Sequence, residues 1–313
     1  MTAAVPPPGP HGGDGARVAA ALGIDPTEVL DLSASLNPFA PDVPALAARR
    51  LDALGRYPDV EAAEHEVADM VGVDRDRLVL TGGSSQAIAL LADHLGAGWV
   101  DEPDFSLYRR HLSLDPAAPR WRSDPHSPSG LLARAPAAAA GTDDETDDEE
   151  VAVWDEAYLP LAAGTWTRGR PGWALGSLTK AFACPGLRLG FAVAPNPAEA
   201  DQLRSRRPAW AVGGLACALV PDLAAAADPP GWARRLAAAR RDLVGVLRAH
   251  GRDPQPSDAP WVLVPDARGL RDALGRQAVV VRDCASFGLV DTVRIAVPGP
   301  DALPRLDKAL ARA

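Results

Sequence analysis

Lysine is almost missing from this chain. Of its 32 basic residues only Lys180 and Lys308 are lysine, and the rest are arginine. As a surface cation, arginine replaces lysine at little cost. It cannot do so where an amine must shed its proton and attack a carbonyl, because guanidinium stays protonated. A lysine kept at mid-chain, in Ser177-Leu178-Thr179-Lys180, is therefore a candidate Schiff-base lysine. Cysteine is scarce too: Cys184, Cys217 and Cys284 are odd in number, widely spaced and form no CxxC pair. That excludes a disulfide framework and a zinc site, and reads as reduced, cytosolic thiols. No apolar run spans a membrane, the longest being the 12 residues 209–220. The proline-rich start offers no apolar segment of a signal peptide. Positive charge is also in deficit, at a net −9, which argues against nucleic acid or an anionic membrane as the partner. The expectation is a cytoplasmic protein without metal, membrane or nucleic-acid partner.

The chain has 313 residues, 47% hydrophobic and 23% charged, enough for a main globular domain and a smaller one. Strand-like apolar runs at 77–81, 151–155 and 189–194 alternate with turns and helical patterns, as at 85–95. Such alternation implies a parallel, doubly wound sheet. An arginine-rich amphipathic helix at 232–250 precedes strand-like runs at 261–264, 278–282 and 292–297 and a last helix at 302–313. That half reads as a smaller α+β domain. Between the halves, an alanine tract at 137–140 leads into 143–150, where seven of eight residues are acidic. This stretch, 137–150, reads as a solvated loop. No internal repeat is present.

Several segments carry residues suited to chemistry. The run Val151-Ala152-Val153-Trp154 ends in Asp155, with Tyr158 three residues on. Open α/β sheets bind ligands at the carboxyl ends of their strands, so Asp155 could hold a protonated pyridine nitrogen and Tyr158 a neighbouring oxygen. An N-cap aspartate with a half-buried tyrosine is the alternative. Gly82-Gly83-Ser84-Ser85 opens a helix after a strand and offers free amides and hydroxyls to an anion; an ordinary capped turn would look the same. Arg188, eight residues past Lys180 across Cys184-Pro185-Gly186, is placed to grip a phosphate or to form a surface ion pair.

Together these segments resemble fold-type I pyridoxal-phosphate enzymes of the histidinol-phosphate aminotransferase and threonine-phosphate decarboxylase group. Ser177-Leu178-Thr179-Lys180 with Gly186-Leu187-Arg188-Leu189-Gly190 is similar to the family's lysine motif, and Asp155-Glu156-Ala157-Tyr158 to its D-E-A-Y motif. Gly82-Gly83-Ser84-Ser85 resembles the phosphate turn, and Arg56-Tyr57-Pro58-Asp59 the R-Y-P-D segment of the aminotransferase branch. His11-Gly12-Gly13, the 31–38 segment and the 281–287 segment are closer to the decarboxylase branch, which serves cobalamin synthesis.

The resemblance implies a mostly parallel, seven-strand-type α/β sheet, shortened here. It also implies an N-terminal arm (1–38) packing on the small domain, a large cofactor domain (39–215) and a small C-terminal domain (216–313). Lys180 would carry pyridoxal phosphate, Asp155 would face the ring nitrogen and Tyr158 the ring's 3-oxygen. Gly83, Ser84, Ser85, Ser177, Thr179 and Arg188 would hold the phosphate. Phe105 would stack on the ring, with Tyr108 as the fallback. Tyr57 would reach the other subunit's cofactor, so a homodimer is implied. Arg294 would grip a substrate carboxylate, with Arg282, His11 and Asn37 around a distal phosphate. Arg294 alternates with apolar neighbours and could instead be an exposed sheet residue, and His11 could belong to a loose arm.

The sequence departs from the family at Ser127, which stands where an asparagine is usual. The interval from Tyr108 to Ser127 is also short, as if a strand-helix piece were lost. The N-terminal and 281–287 segments place decarboxylation of threonine phosphate first and transamination of histidinol phosphate second. A degenerate protein that binds the cofactor without turnover is a third reading.

Overall fold

The computed structural model describes residues 4–133 and 151–313. The acidic stretch 137–150 lies outside the described residues. In chain order the strands are β1 (Leu30–Asp31), β2 (Leu78–Thr81), β3 (Ala97–Val100), β4 (Ser113–Leu114), β5 (Arg120–Ser123), β6 (Val151–Asp155), β7 (Trp173–Ser177), β8 (Gly190–Val193), β9 (Trp261–Val264), β10 (Val279–Val280), β11 (Arg282–Asp283) and β12 (Val293–Ala296).

Seven of them form one sheet in the order β2-β8-β7-β6-β5-β3-β4. Neighbouring strands from β4 to β7 pair in parallel, and β8 runs antiparallel to both β7 and β2. The expected α/β sheet is present with all seven strands. No strand of the seven is lost; at one edge β4 has two residues and only a turn separates it from β5. Strands such as β2 and β8 are buried at every position, as strands covered on both faces are.

Parallel pairing puts the carboxyl ends of β5, β6 and β7 on one edge: Ser123 lies opposite Asp155, and Ser177 opposite Gly190. Thr81, at the end of β2, flanks Gly190 from the other side. After β2 the chain turns through Gly82 and Gly83, whose φ of 90° suits glycine, into the helix Ser84–Leu95. That helix buries Ala87, Ile88, Leu91 and Ala92, one apolar stripe at helical spacing.

The antiparallel sheet β11-β12-β9 lies against the helices Pro229–Ala249 and Leu303–Leu310, and one continuous apolar core joins it to the main sheet. From the N-terminal arm, β1 pairs in parallel with β10. The boundary expected at 215/216 falls inside the helix Gly214–Ala225, which packs on the helix Val60–Val71. The single strand expected over 278–282 is two: β10 joins the arm and β11 joins β12. Among the described residues no helix is long and apolar enough to cross a membrane.

Candidate active site

A cavity of about 270 Å³ opens at the carboxyl edge of the main sheet. It is lined by Lys180, Asp155, Tyr158, Ser84, Ser85, Phe105, Ser127, His11, Arg282 and Arg294, all selected from the sequence. Lys180 lies in the short helix Leu178–Ala181 that directly follows β7, and its Nζ is 5.7 Å from the centre of the Tyr158 ring. Tyr158 rests edge-on against Trp261 at 4.8 Å.

Asp155 ends β6 and is buried. Its Oδ1 accepts from the Ala157 amide at 3.1 Å and its Oδ2 from the Tyr108 hydroxyl at 2.9 Å. Burial pushes its pKa up to about 6, against the pull of those two hydrogen bonds and of Lys180. A buried carboxylate that is costly to ionise favours a cation placed beside it.

On one side of the cavity the first turn of the helix Ser84–Leu95 presents free amides with the hydroxyls of Ser84 and Ser85. Position 83 suits glycine because its φ of 90° is strained for any side chain, and a Cβ there, 2.5 Å from Arg188 Nη2, would also push that guanidinium from the turn. Arg188, itself at φ 52°, reaches over this turn toward the Gly82 carbonyl at 3.4 Å. Helix amides, two hydroxyls and a guanidinium make an anion seat.

On the opposite side Arg282 and Arg294 sit directly across from one another on β11 and β12, 6% and 5% exposed. Arg294 is thus buried beside the cavity and is no exposed sheet residue. Each lies over an aromatic ring, Arg282 on Phe287 at 4.4 Å and Arg294 on Trp261 at 4.7 Å. Neither has a carboxylate partner among the described residues, and Arg282 Nη2 and Arg294 Nε have no hydrogen-bond partner. Burial lowers the pKa of both, with Arg282, also next to Arg294, brought down to about 10. Two adjacent buried cations without an anion form a site built for one. At the mouth, burial, Arg282, Arg110 and Lys180 lower the pKa of His11.

Other expected residues lie elsewhere. Tyr108 is fully buried behind Asp155 and edge-on to Phe105 at 5.7 Å, so it does not face the cavity as the fallback stacking residue. Asn37 does not line the cavity. Its Nδ2 donates to the Ala181 carbonyl at 2.8 Å and its Oδ1 accepts from the Phe39 amide at 2.9 Å, which ties the arm to the Lys180 helix. Thr179 is buried and bonds the Leu189 carbonyl at 3.3 Å; Ser177 is buried at the end of β7. Gly83 and Arg188 border the seat without lining the cavity. Tyr57 lies apart from it, 78% exposed and tilted against Trp210 at 4.6 Å.

Residues that sequence reading passed over complete the wall. Ser123 lines it and accepts from the Ser127 amide at 2.8 Å, and its hydroxyl and amide are both held by the buried Asp104. A serine at the end of β5, on the face that Trp121 buries, was the available signal. Trp261 supports both Tyr158 and Arg294. Ser35 contributes a buried hydroxyl without a partner.

Residues 123–311 match the family model of class I and II aminotransferases. A histidinol-phosphate aminotransferase of Natronomonas pharaonis is 29% identical, covering 89% of each chain. A threonine-phosphate decarboxylase of Salmonella typhimurium is 26% identical over 96% of this chain and 95% of its own. A solved histidinol-phosphate aminotransferase of Sinorhizobium meliloti, in complex with pyridoxal-5'-phosphate, overlays with a TM-score of 0.75 at 18% identity. It covers 97% of this chain and 94% of its own, a likeness of fold. The chain belongs to the class I and II aminotransferase family. It is an enzyme of that pyridoxal-phosphate-dependent kind. The site fits the cofactor: an amine, a buried carboxylate and an anion seat border one cavity, with the two arginines on its opposite side.

Proposed function

We propose that this chain is an aminotransferase that moves the amino group of a small phosphorylated amine such as histidinol phosphate. Most of the relatives with a stated activity are histidinol-phosphate aminotransferases. Their weight reverses the order reached from sequence motifs, which placed decarboxylation first. The single observation that carries the reading is the convergence of Lys180, Asp155 and the unpartnered Arg282 and Arg294 on one cavity.

In this reading Lys180 is the attachment point of pyridoxal phosphate, which supplies an electron sink at the substrate's α-carbon. Asp155 holds the ring nitrogen's proton by facing it with a buried carboxylate. Tyr158 donates to the ring's 3-oxygen, with Ser127 in reach of the same region. Ser84, Ser85 and the Gly83 turn bind the phosphate with Arg188, and Phe105 covers the ring face. The Lys180 amine would serve as the base that takes the α-carbon proton and, as its conjugate acid, returns it to the cofactor side of the substrate nitrogen. Arg294 and Arg282, with His11 at the mouth, would meet the phosphate of histidinol phosphate in one half of the reaction and the carboxylates of the amino-group acceptor in the other.

A homodimer belongs to the reading. Tyr57 and Trp210 rest against each other, Leu51 and Leu54 lie in the turn just before Tyr57, and all four are more than half exposed, apolar surface of the kind that protein contacts cover. Tyr57 would reach the partner's site from it.

The second reading, threonine-phosphate decarboxylation, is favoured by the paired arginines with His11 beside them. These suit a small substrate that carries two anionic groups. Incubating the cofactor-loaded protein with histidinol phosphate plus a keto acid, and separately with threonine phosphate, tests both. Amine transfer from the first without carbon dioxide from the second supports the aminotransferase. Carbon dioxide from threonine phosphate alone overturns it.

A further inference from the structure

The roles assigned so far leave Tyr108 without one, yet its surroundings are the most constrained in the site. The short helix Leu107–His111 delivers it into the core, where it is fully buried. Its ring is fixed between Phe105, edge-on at 5.7 Å, and Trp121 at 5.8 Å. Its hydroxyl is 2.9 Å from Asp155 Oδ2. A hydroxyl carries one proton, and here it has one destination. Burial and the carboxylates of Asp155 and Asp104 push the phenol's pKa well up, so the group stays a neutral donor.

Asp155 needs such a donor. The groups that act on it are few: the Tyr108 hydroxyl and Ala157 amide donate to it, Lys180 attracts it, and Asp104 repels it. Burial outweighs the favourable contributions, leaving the carboxylate close to protonation near neutral pH.

We propose that Tyr108 is the positioning residue of Asp155. Its hydroxyl occupies Oδ2, fixes the carboxylate plane at the end of β6 and holds the group charged toward the cofactor's ring nitrogen. The inference rests on the reading of Asp155 given above. It replaces ring stacking, the use that sequence offers for Tyr108, with control of the carboxylate from behind.

Cofactor-free wild type, Tyr108→Phe and Asp155→Asn proteins are titrated with pyridoxal phosphate from acid to alkaline pH, and binding is read by absorbance. The phenylalanine ring keeps the packing, and thermal unfolding checks the fold. Tyr108→Phe is expected to bind roughly tenfold more weakly near neutral pH, the loss of one hydrogen bond to a charged acceptor. The pH below which its binding fails should move upward, because removing the donor raises the Asp155 pKa. Asp155→Asn should bind more weakly still and lack that acid limb. A Tyr108→Phe protein with wild-type affinity and limb, beside an impaired Asp155→Asn, refutes the role of Tyr108 and leaves Asp155 standing. Weaker binding with an unmoved limb also refutes it, since lost packing alone would give that. Asp155→Asn with wild-type affinity and limb overturns the reading of Asp155 and this inference with it.

Discussion

At the scale of single residues, the contrast between the two lysines is the sharpest handle. Lys308 is exposed on the helix Leu303–Leu310, and Lys308→Arg should leave cofactor uptake and turnover unchanged. Lys180→Arg keeps the charge and removes the nucleophile, so the cofactor should bind only weakly and turnover should fall below detection. At Arg294, substitution by lysine keeps the charge and loses the fork. A drop in kcat/KM of about 10- to 100-fold is expected, the value of a charged hydrogen bond, with the cofactor spectrum unchanged. Asp155 gives a pH signature. Its folded pKa, about 6, lies above its ordinary 3.8, so the native protein holds this proton more tightly than the unfolded chain. The stability it contributes is present at low pH and is lost as pH rises from about 4 to about 6. Cofactor-free Asp155→Asn should therefore gain on wild type across that window, by about 2 kcal/mol, in denaturant unfolding at several pH values. Lys180, Asp155, Tyr158 and Arg294 were legible in sequence because each stands inside a local pattern that chemistry restricts. Asn37 misled, since a side chain that bonds the backbone of Ala181, 144 positions away, looks the same in sequence as one that meets a substrate. The Tyr108 to Asp155 bond spans 47 positions and was invisible for the same reason.

At the scale of elements, the site depends on how closely β8 approaches the helix Ser84–Leu95. A Cβ on Gly190 would lie 2.6 Å from the Ser84 amide nitrogen and 2.7 Å from the Gly83 carbonyl carbon, both unyielding backbone. Gly190→Ala should cost about 1–3 kcal/mol of stability, the cost of overpacking, and should weaken cofactor binding through the displaced phosphate turn. Thermal unfolding and cofactor titration on one sample check both. Elements whose apolar run ends where the strand ends were read well from sequence, and 151–155 and 261–264 match β6 and β9. The run 278–282 was misread as one strand because the chain changes sheets at Val281, between β10 and β11, and an apolar pattern does not record a change of partner. Ala278, at φ 56°, sits just before β10. The short interval before Ser127 suggested a lost strand-helix piece, yet the sheet keeps seven strands and Ser127 lies on the cavity wall.

At the scale of the whole molecule, the apolar face around Leu54, Tyr57 and Trp210 bears on assembly. Leu54→Asp places a charge in that face, and if two copies meet there the variant should be monomeric by light scattering. Its cofactor should be held more weakly, because Tyr57 would no longer reach across; a dimer of unchanged size would reject this face as the interface. The α/β sheet and the cofactor class were legible in sequence, since ordered motifs spread over most of the chain constrain one another. The choice of substrate was not, because a pair of arginines answers to any anionic group and does not name the molecule that carries it. Everything returns to one covalent bond at Lys180. The most direct measurement is borohydride reduction of the protein loaded with pyridoxal phosphate, followed by peptide mapping. The expected result is a single reduced cofactor on Lys180. No uptake, or label spread over Lys308 and the amino terminus with Lys180 unmodified, would contradict it.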